Sequence, residues 1–250
     1  MVSDVKPARR TVLPALALAS CLVSTAPAGA AAPVVRRCAQ AGTKKVLTTP
    51  ALRVVSVRVD TVSKKNQAHI VGRDFYGCAG ATGAAHKIGF IYKDYATTGS
   101  VKGMTAVDSG LTSFGQTAGT FIITRTRESD LSGNFAERTY RVVDVATGRK
   151  YTFFHQLSGE EESHDPAPPV TQRLDDSGRL AAILSSPDDE GYADPPVGSS
   201  EVVAFSATGK RTVLDVAPIA AIPKASLTLS EGAVGWTNAG KAKTAPAPAS

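Results

Sequence analysis

The stretch Thr139-Tyr140-Arg141-Val142-Val143-Asp144-Val145-Ala146-Thr147-Gly148-Arg149-Lys150-Tyr151-Thr152-Phe153-Phe154 decides the fold. β-Branched and aromatic residues on both sides of a glycine able to take a positive φ mark a β-hairpin. The pattern returns as Glu201-Val202-Val203-Ala204-Phe205-Ser206, the turn Ala207-Thr208-Gly209, and Lys210-Arg211-Thr212-Val213-Leu214. Ala-Thr-Gly also stands at 81–83, so its three copies are offset by 65 and 61 residues. A second repeat precedes these hairpins. Gly119, Gly178 and Gly232 each sit just before an apolar run, at offsets of 59 and 54 residues. One unit therefore reads strand, glycine turn, apolar strand, variable polar loop, strand, Ala-Thr-Gly turn, strand. That is the order of parts in a four-stranded propeller blade.

Working outward, the best-preserved unit covers Thr171–Asp215 and the one before it Leu111–His155. A third is expected from Ser226–Thr237 joined to His69–Cys78 and His86–Tyr92, the way propellers commonly close their rings, and Leu52–Val59 alternates in its second half as a half-buried strand of a partial unit. No window sustains i, i+3, i+4 apolar spacing, and 22 glycines and 15 prolines interrupt the chain. The predicted class is all-β: a propeller-like array of about three to three and a half four-stranded antiparallel blades, fewer than the usual four. An incomplete ring, a ring completed by a second chain in a homodimer, and a sandwich-like stack all stay open. The chain divides into a signal peptide at 1–30, an extended leader at 31–50, the β-domain at 51–237 and a flexible tail at 238–250.

Residues 1–30 combine a basic start (Lys6, Arg9, Arg10), an apolar run from Val12 to Val23 and the small-residue end Ala28-Gly29-Ala30, the three parts of a secretory signal peptide. The run is shorter than the ~20 apolar residues that span a bilayer, so no transmembrane segment is expected in the mature chain. Leu18-Ala19-Ser20-Cys21 also fits a lipobox, which would acylate Cys21 and anchor the protein at the cell envelope. Arg9-Arg10 loosely matches a twin-arginine signal. Removing Lys6, Arg9, Arg10 and Asp4 from 28 basic and 22 acidic residues leaves 25 and 21, a mild excess. The basic pairs are spread along the chain, which argues against a nucleic-acid partner. Cleavage before Ala31 leaves Cys38 and Cys78 as an even pair, expected to form a disulfide in an oxidising compartment. Two free thiols in a protein folded before export is the alternative.

Val142-Val143-Asp144-Val145-Ala146-Thr147-Gly148-Arg149-Lys150 resembles the blade motif of bacterial propellers of the TolB-like and quinoprotein-like types. Residues 66–245 as a whole resemble secreted actinobacterial propeller-like proteins, through Tyr76-Gly77-Cys78 and the terminal Gly232-x-Val234-x-Trp236. The other copies lack Asp144, with Cys78 and Ala204 near its place, and there is no Trp-Asp dipeptide. The resemblance implies an architecture and no reaction, because propellers host binding and catalysis alike.

Chemistry is sparse. There is no Gly-x-Ser-x-Gly nucleophile turn, and His69, His86, His155 and His164 lack zinc-ligand spacing, so no catalytic residue, cofactor or metal is predicted. The polar connections carry the candidates: Arg127, Phe135 and Arg138 in 125–138; Glu161, His164 and Asp165 in 158–166; Asp188, Asp189, Glu190, Tyr192 and Asp194 in 186–195. Variable loops at one end of a repeated scaffold are where recognition is usually carried. The expected function is a secreted, non-enzymatic protein of the envelope or extracellular space that recognises a protein or polysaccharide through these loops. Two other readings are an extracellular carbohydrate-active lyase or hydrolase using acids and His from 155–165 and 188–194, and a lipid-anchored accessory protein of an envelope complex.

Overall fold

The computed structural model describes residues 35–62, 69–80, 82–95, 105–129, 136–158, 167–187 and 195–249. The expected signal peptide and Cys21 lie outside them. The strands are β1 (Lys44–Thr48), β2 (Leu52–Val62), β3 (His69–Ala79), β4 (His86–Tyr95), β5 (Thr105–Ala118), β6 (Phe121–Ser129), β7 (Ala136–Asp144) and β8 (Lys150–Ser158). They continue as β9 (Pro169–Leu174), β10 (Leu180–Ser186), β11 (Ser199–Phe205), β12 (Arg211–Pro218), β13 (Thr228–Ser230), β14 (Ala233–Asn238) and β15 (Lys241–Pro246). Each pairs antiparallel with its sequence neighbours in three sheets, β1 to β8, β9 to β12 and β13 to β15.

The sequence of β10 explains the arrangement. Leu180-Ala181-Ala182-Ile183-Leu184 is apolar at every position rather than at alternate ones, and all of it is buried. Side chains alternate across a strand, so both faces of this sheet must be covered. Leu180, Ala182 and Leu184, with Val203 and Phe205 of β11, pack against Ile123, Val142, Phe153 and Phe154 of the eight-stranded sheet. Ala181 and Ile183, with Val202 and Ala204, pack against Ile222, Leu227, Val234 and Trp236. The same alternation operates one layer earlier. Ile122 and Val143 turn away from their neighbours Ile123 and Val142 to meet Leu52, Val54, Phe75 and Ile88. Three cores thus alternate with four layers, β1–β4, β5–β8, β9–β12 and β13–β15.

The first two layers belong to one sheet because β4 and β5 pair only between Ile91↔Gly110 and Tyr95↔Thr105. Beyond that point β5 breaks register with β6 between Leu111 and Ser113 and again between Phe114 and Thr117. Bulges bend and twist a strand. The bend carries Leu111 into the core with Ile88 and lets the sheet fold over on itself.

The hairpin turns are stabilised by their own side chains. Asp175 Oδ1 accepts the N–H groups of Ser177 and Arg179 at 3.0 Å each, and Ser206 Oγ accepts those of Thr208 at 3.3 Å and Lys210 at 3.1 Å. In both turns the third residue on is a glycine in the left-handed region, Gly178 at φ 83° and Gly209 at φ 87°, as a three-residue hairpin loop requires. A Cβ on Gly209 would stand 2.7 Å from Tyr151 Cβ, so glycine is required there for space as well. Tyr151 follows Gly148 by three residues, so the Ala-Thr-Gly turn of one layer rests on the strand that leaves the equivalent turn of the layer before.

The all-β, antiparallel expectation and the Cys38–Cys78 disulfide stand, the latter with an S–S distance of 2.08 Å. The division into separate four-stranded blades does not describe 44–158, because β4 bonds to β5. The expected joining of Ser226–Thr237 to His69–Cys78 does not occur. Both edges of β3 are taken by β2 and β4, while β14 takes β15. That strand lies in the segment read as a flexible tail. Likewise the segment read as a leader contributes Cys38 to the disulfide and β1 to the first layer. Small and basic residues such as Lys241-Ala242-Lys243-Thr244-Ala245 carry little strand signal, and a backbone ladder supplies what propensity does not. No helix among the described residues is long and apolar enough to cross a membrane.

Asp215 at β12 fastens the last layer: its Oδ2 accepts from Trp236 Nε1 at 2.7 Å, Asn238 Nδ2 at 2.8 Å and Lys243 Nζ at 3.1 Å. Burial pushes this carboxyl upward, but the three donors and the lysine charge outweigh it and hold the group below its ordinary value. The stabilisation is therefore present above the unfolded pKa of about 3.9 and lost as pH falls through the folded value. Asp215→Asn is expected to lower stability at neutral pH by about 1–3 kcal/mol and to flatten the loss of thermal midpoint from about pH 5 to pH 3. An unchanged acid limb in a thermal melt series would contradict this role.

Candidate functional site

In a meander, alternate connections lie at the same end. The turns β1–β2, β3–β4, β5–β6, β7–β8, β9–β10, β11–β12 and β13–β14 therefore share one end of the layers, and all but the β3–β4 turn, at 80–85, are five residues or fewer. The strand ends that bracket 63–68, 96–104, 130–135, 159–168, 187–198 and 219–227 lie at the other, together with the two-residue β14–β15 turn at 239–240. The scaffold thus has a short-turn end and a long-connection end.

At the short-turn end, a groove of about 220 Å³ runs between the second and third layers, lined by Phe121, Asp144, Arg149, Tyr151, Ser177 and Thr208 among others. Its polar groups are engaged internally. Asp144 accepts from Thr120 Oγ1 at 2.8 Å, Thr147 Oγ1 at 2.7 Å and the Ala146 N–H at 2.9 Å. Burial raises its pKa, but these bonds and Arg149 bring it below the ordinary range. Tyr151 donates its hydroxyl to Gly178 O at 2.8 Å, and burial, reinforced by Asp175, pushes its ionisation well upward. Neither offers a base or a nucleophile.

A second cluster lies on the face of β3 and β4 turned away from the second layer. Asp74, 4% exposed, meets Lys87 Nζ at 2.7 Å and accepts a short hydrogen bond from the Tyr92 hydroxyl. The Tyr92 ring stacks on Phe90 with centroids 4.6 Å apart. Burial lowers the Lys87 pKa, but hydrogen bonds to Asp74 and Tyr92 outweigh it and keep the amine protonated; burial and Asp74 both raise that of Tyr92. The set is a locked ion pair with neutral phenols, suited to fixing strands rather than to moving protons. Alternation could have disclosed it, since Asp74 with Tyr76 and Phe90 with Tyr92 are i, i+2 pairs that share a face.

At the long-connection end, the outer rungs of β6, β7 and β8 carry charge. Arg127 lies directly opposite Arg138, and Arg125 opposite Tyr140. These residues share a face with Ile123 and Val142 and continue that face outward from the core. The Arg125 guanidinium sits over the Tyr140 ring, 5.1 Å from its centroid. On the opposite face Glu128 opposes Glu137, and Glu137 Oε1 contacts His155 Nε2 at 3.0 Å and accepts from Thr139 Oγ1 at 3.1 Å. Of this pair, Glu137 has polar partners in His155 and Thr139. Arg127 and Arg138 are exposed and have no carboxylate partner among the described residues.

Of the candidate residues read from sequence, Arg127 and Arg138 are thus brought together, though not in a loop. The expected connection 125–138 shrinks to 130–135, because Thr and Arg alternate through β6 and the ladder runs unbroken to Ser129↔Ala136. Phe135, Glu161, His164, Asp165, Asp188, Asp189, Glu190, Tyr192 and Asp194 lie outside the described residues. All belong to connections whose bracketing strand ends are at this same end. Among the described residues no cluster of three or more His, Cys, Asp or Glu has the geometry to hold a metal ion. No family model, curated protein or solved structure matches the chain.

Like charges directly opposed on a sheet are unfavourable by roughly 0.2–1 kcal/mol. Arg138→Gln is therefore expected to leave the urea midpoint unchanged or raise it slightly. A clear loss of stability would show that the pair is held by a partner within the fold.

Proposed function

We propose that this is an exported binding protein of the envelope or extracellular space, built on a propeller-like succession of β-layers, which recognises a protein or glycan ligand at its long-connection end. The observation that carries the reading is the asymmetry of the two ends. The short connections are held by capping side chains and glycines packed against the next layer; of the long ones, 130–135 is bordered by the exposed charges of the β6–β7 ladder. Recognition belongs on variable connections held by a rigid scaffold. The propeller-like part of the proposal is supported by the strand–turn order shared by successive layers and by cores that alternate with them. Export is supported by the signal-peptide pattern and by a buried disulfide, a bond that persists in oxidising compartments. Release after cleavage before Ala31 and acylation at Cys21 give different intact masses.

The test is ligand-induced stabilisation of the oxidised chain by soluble polysaccharides and envelope extracts. A ligand that binds only the native state adds about 2.7 kcal/mol at a hundredfold excess over its Kd. Replacing 130–135 and 188–194 with short Gly-Ser linkers is expected to abolish the shift, while Arg149→Ala with Thr208→Ala in the short-turn groove leaves it intact. The reverse outcome would move the site to the other end and overturn the proposal.

A further inference from the structure

We infer that the arginine face of β6 and β7 binds the carboxylate or sulfate groups of an anionic polysaccharide, an inference that rests on the reading of the long-connection end as the ligand-bearing one. Folding alone does not account for Arg127 opposite Arg138 in an uninterrupted ladder, since opposed like charges weaken a sheet. Three other arginines among the described residues have carboxylate partners. Arg58, Arg179 and Arg211 contact Asp60, Asp175 and Glu201 at 3.1, 2.8 and 2.5 Å. In the matching pair of like charges on the other face, Glu128 and Glu137, the second carboxylate contacts His155. Arg127 and Arg138 have no carboxylate partner among the described residues and face outward with their charge available.

Arg125 extends this surface inward. Its guanidinium is fixed over Tyr140, and its buried Nε has no hydrogen-bond partner. Same-face residues two apart on a strand are separated by about 6.8 Å, and directly opposed ones by roughly 4.5–5.5 Å. Three planar forks at these intervals suit a chain of repeated anionic groups, each of which can take two parallel N–H bonds from a guanidinium. A protein partner would need an apolar anchor at the centre of its footprint. Among the described residues of this face the apolar side chains next to the arginines are Tyr140 and buried Phe154, and the exposed Leu157 alternates to the other side. The observations therefore favour a polyanion over a polypeptide.

The experiment measures binding of the full mature chain to immobilised polygalacturonate and dextran sulfate, with neutral dextran, polyglutamate and a single-stranded oligonucleotide as comparators, at low and moderate salt. Binding to at least one anionic glycan but not to dextran, weakening with salt, is expected. Arg127→Gln with Arg138→Gln should lower affinity about tenfold or more, as the loss of charge-assisted bonds implies, with an unchanged or higher melting temperature. Arg149→Gln with Lys150→Gln, the same charge change at the short-turn end, should alter it less than about twofold. Equal losses in the two double variants, or tighter binding of polyglutamate or the oligonucleotide, would overturn the inference. So would failure of both anionic glycans beside a neutral or protein ligand that depends on 130–135 and 188–194 but not on the arginines, an outcome that leaves the wider reading of this end standing. A ligand bound at the short-turn end would overturn both.

Discussion

The fold depends on the burial of both faces of β10 and β11. A sheet that is apolar on two sides cannot end the structure; it needs a layer on each side. The layer before it supplies Ile123, Val142, Phe153 and Phe154, and the layer after it supplies Val234 and Trp236 with Ile222 and Leu227. Because strands alternate, the layer before it must also be covered behind Ile122 and Val143, which brings in β2 to β4. Four layers follow from one period-2 constraint applied repeatedly. Small residues keep the layers close, as in the Ala181-Ala182 pair of β10 and at Gly77, where a Cβ would collide with Val145.

This construction separates two tasks. At one end, short turns are closed by Asp144, Asp175 and Ser206 and by glycines lying against the next layer, so the ends of the strands are fixed in place. At the other, β6 and β7 run past the apolar cores into rungs of arginine, glutamate and threonine. Core burial stabilises the array, and the exposed rungs are free to carry charge that packing does not require. The electrostatics follow the same division: the carboxylates with lowered pKa, Asp144, Asp175 and Asp215, all serve turns or the joint between layers.

Much of the strand order was legible because it repeats. The glycine turns at 119, 178, 209 and 232 and the hairpins around 146–148 and 207–209 follow from the repeated sequence pattern, and the bond between Cys38 and Cys78 from the even pair of cysteines. What escaped was weakly marked. Lys44–Thr48 and Lys241–Pro246 are polar, exposed edge strands whose pairing comes from neighbours rather than from their own residues, and so a third unit was sought by joining the two termini. The outer halves of β6 and β7 read as loop because Arg-Thr-Arg-Glu-Ser has no apolar face, and so Arg127 and Arg138 stand in the sequence reading as loop residues rather than as an opposed pair in a ladder. The clusters at Asp74 and around Arg125 and Tyr140 depend on cross-strand register, which a single sequence does not state.

The account rests on the third layer being the most deeply enclosed part of the protein, and native-state hydrogen exchange tests this most directly. Amides of Ala181–Leu184 and Val202–Ala204 are predicted to exchange only through global unfolding, with those of β1 and β15 opening at much lower free energy. Exchange of the β10 and β11 amides through local openings as easy as those of the edge strands would contradict the layered core.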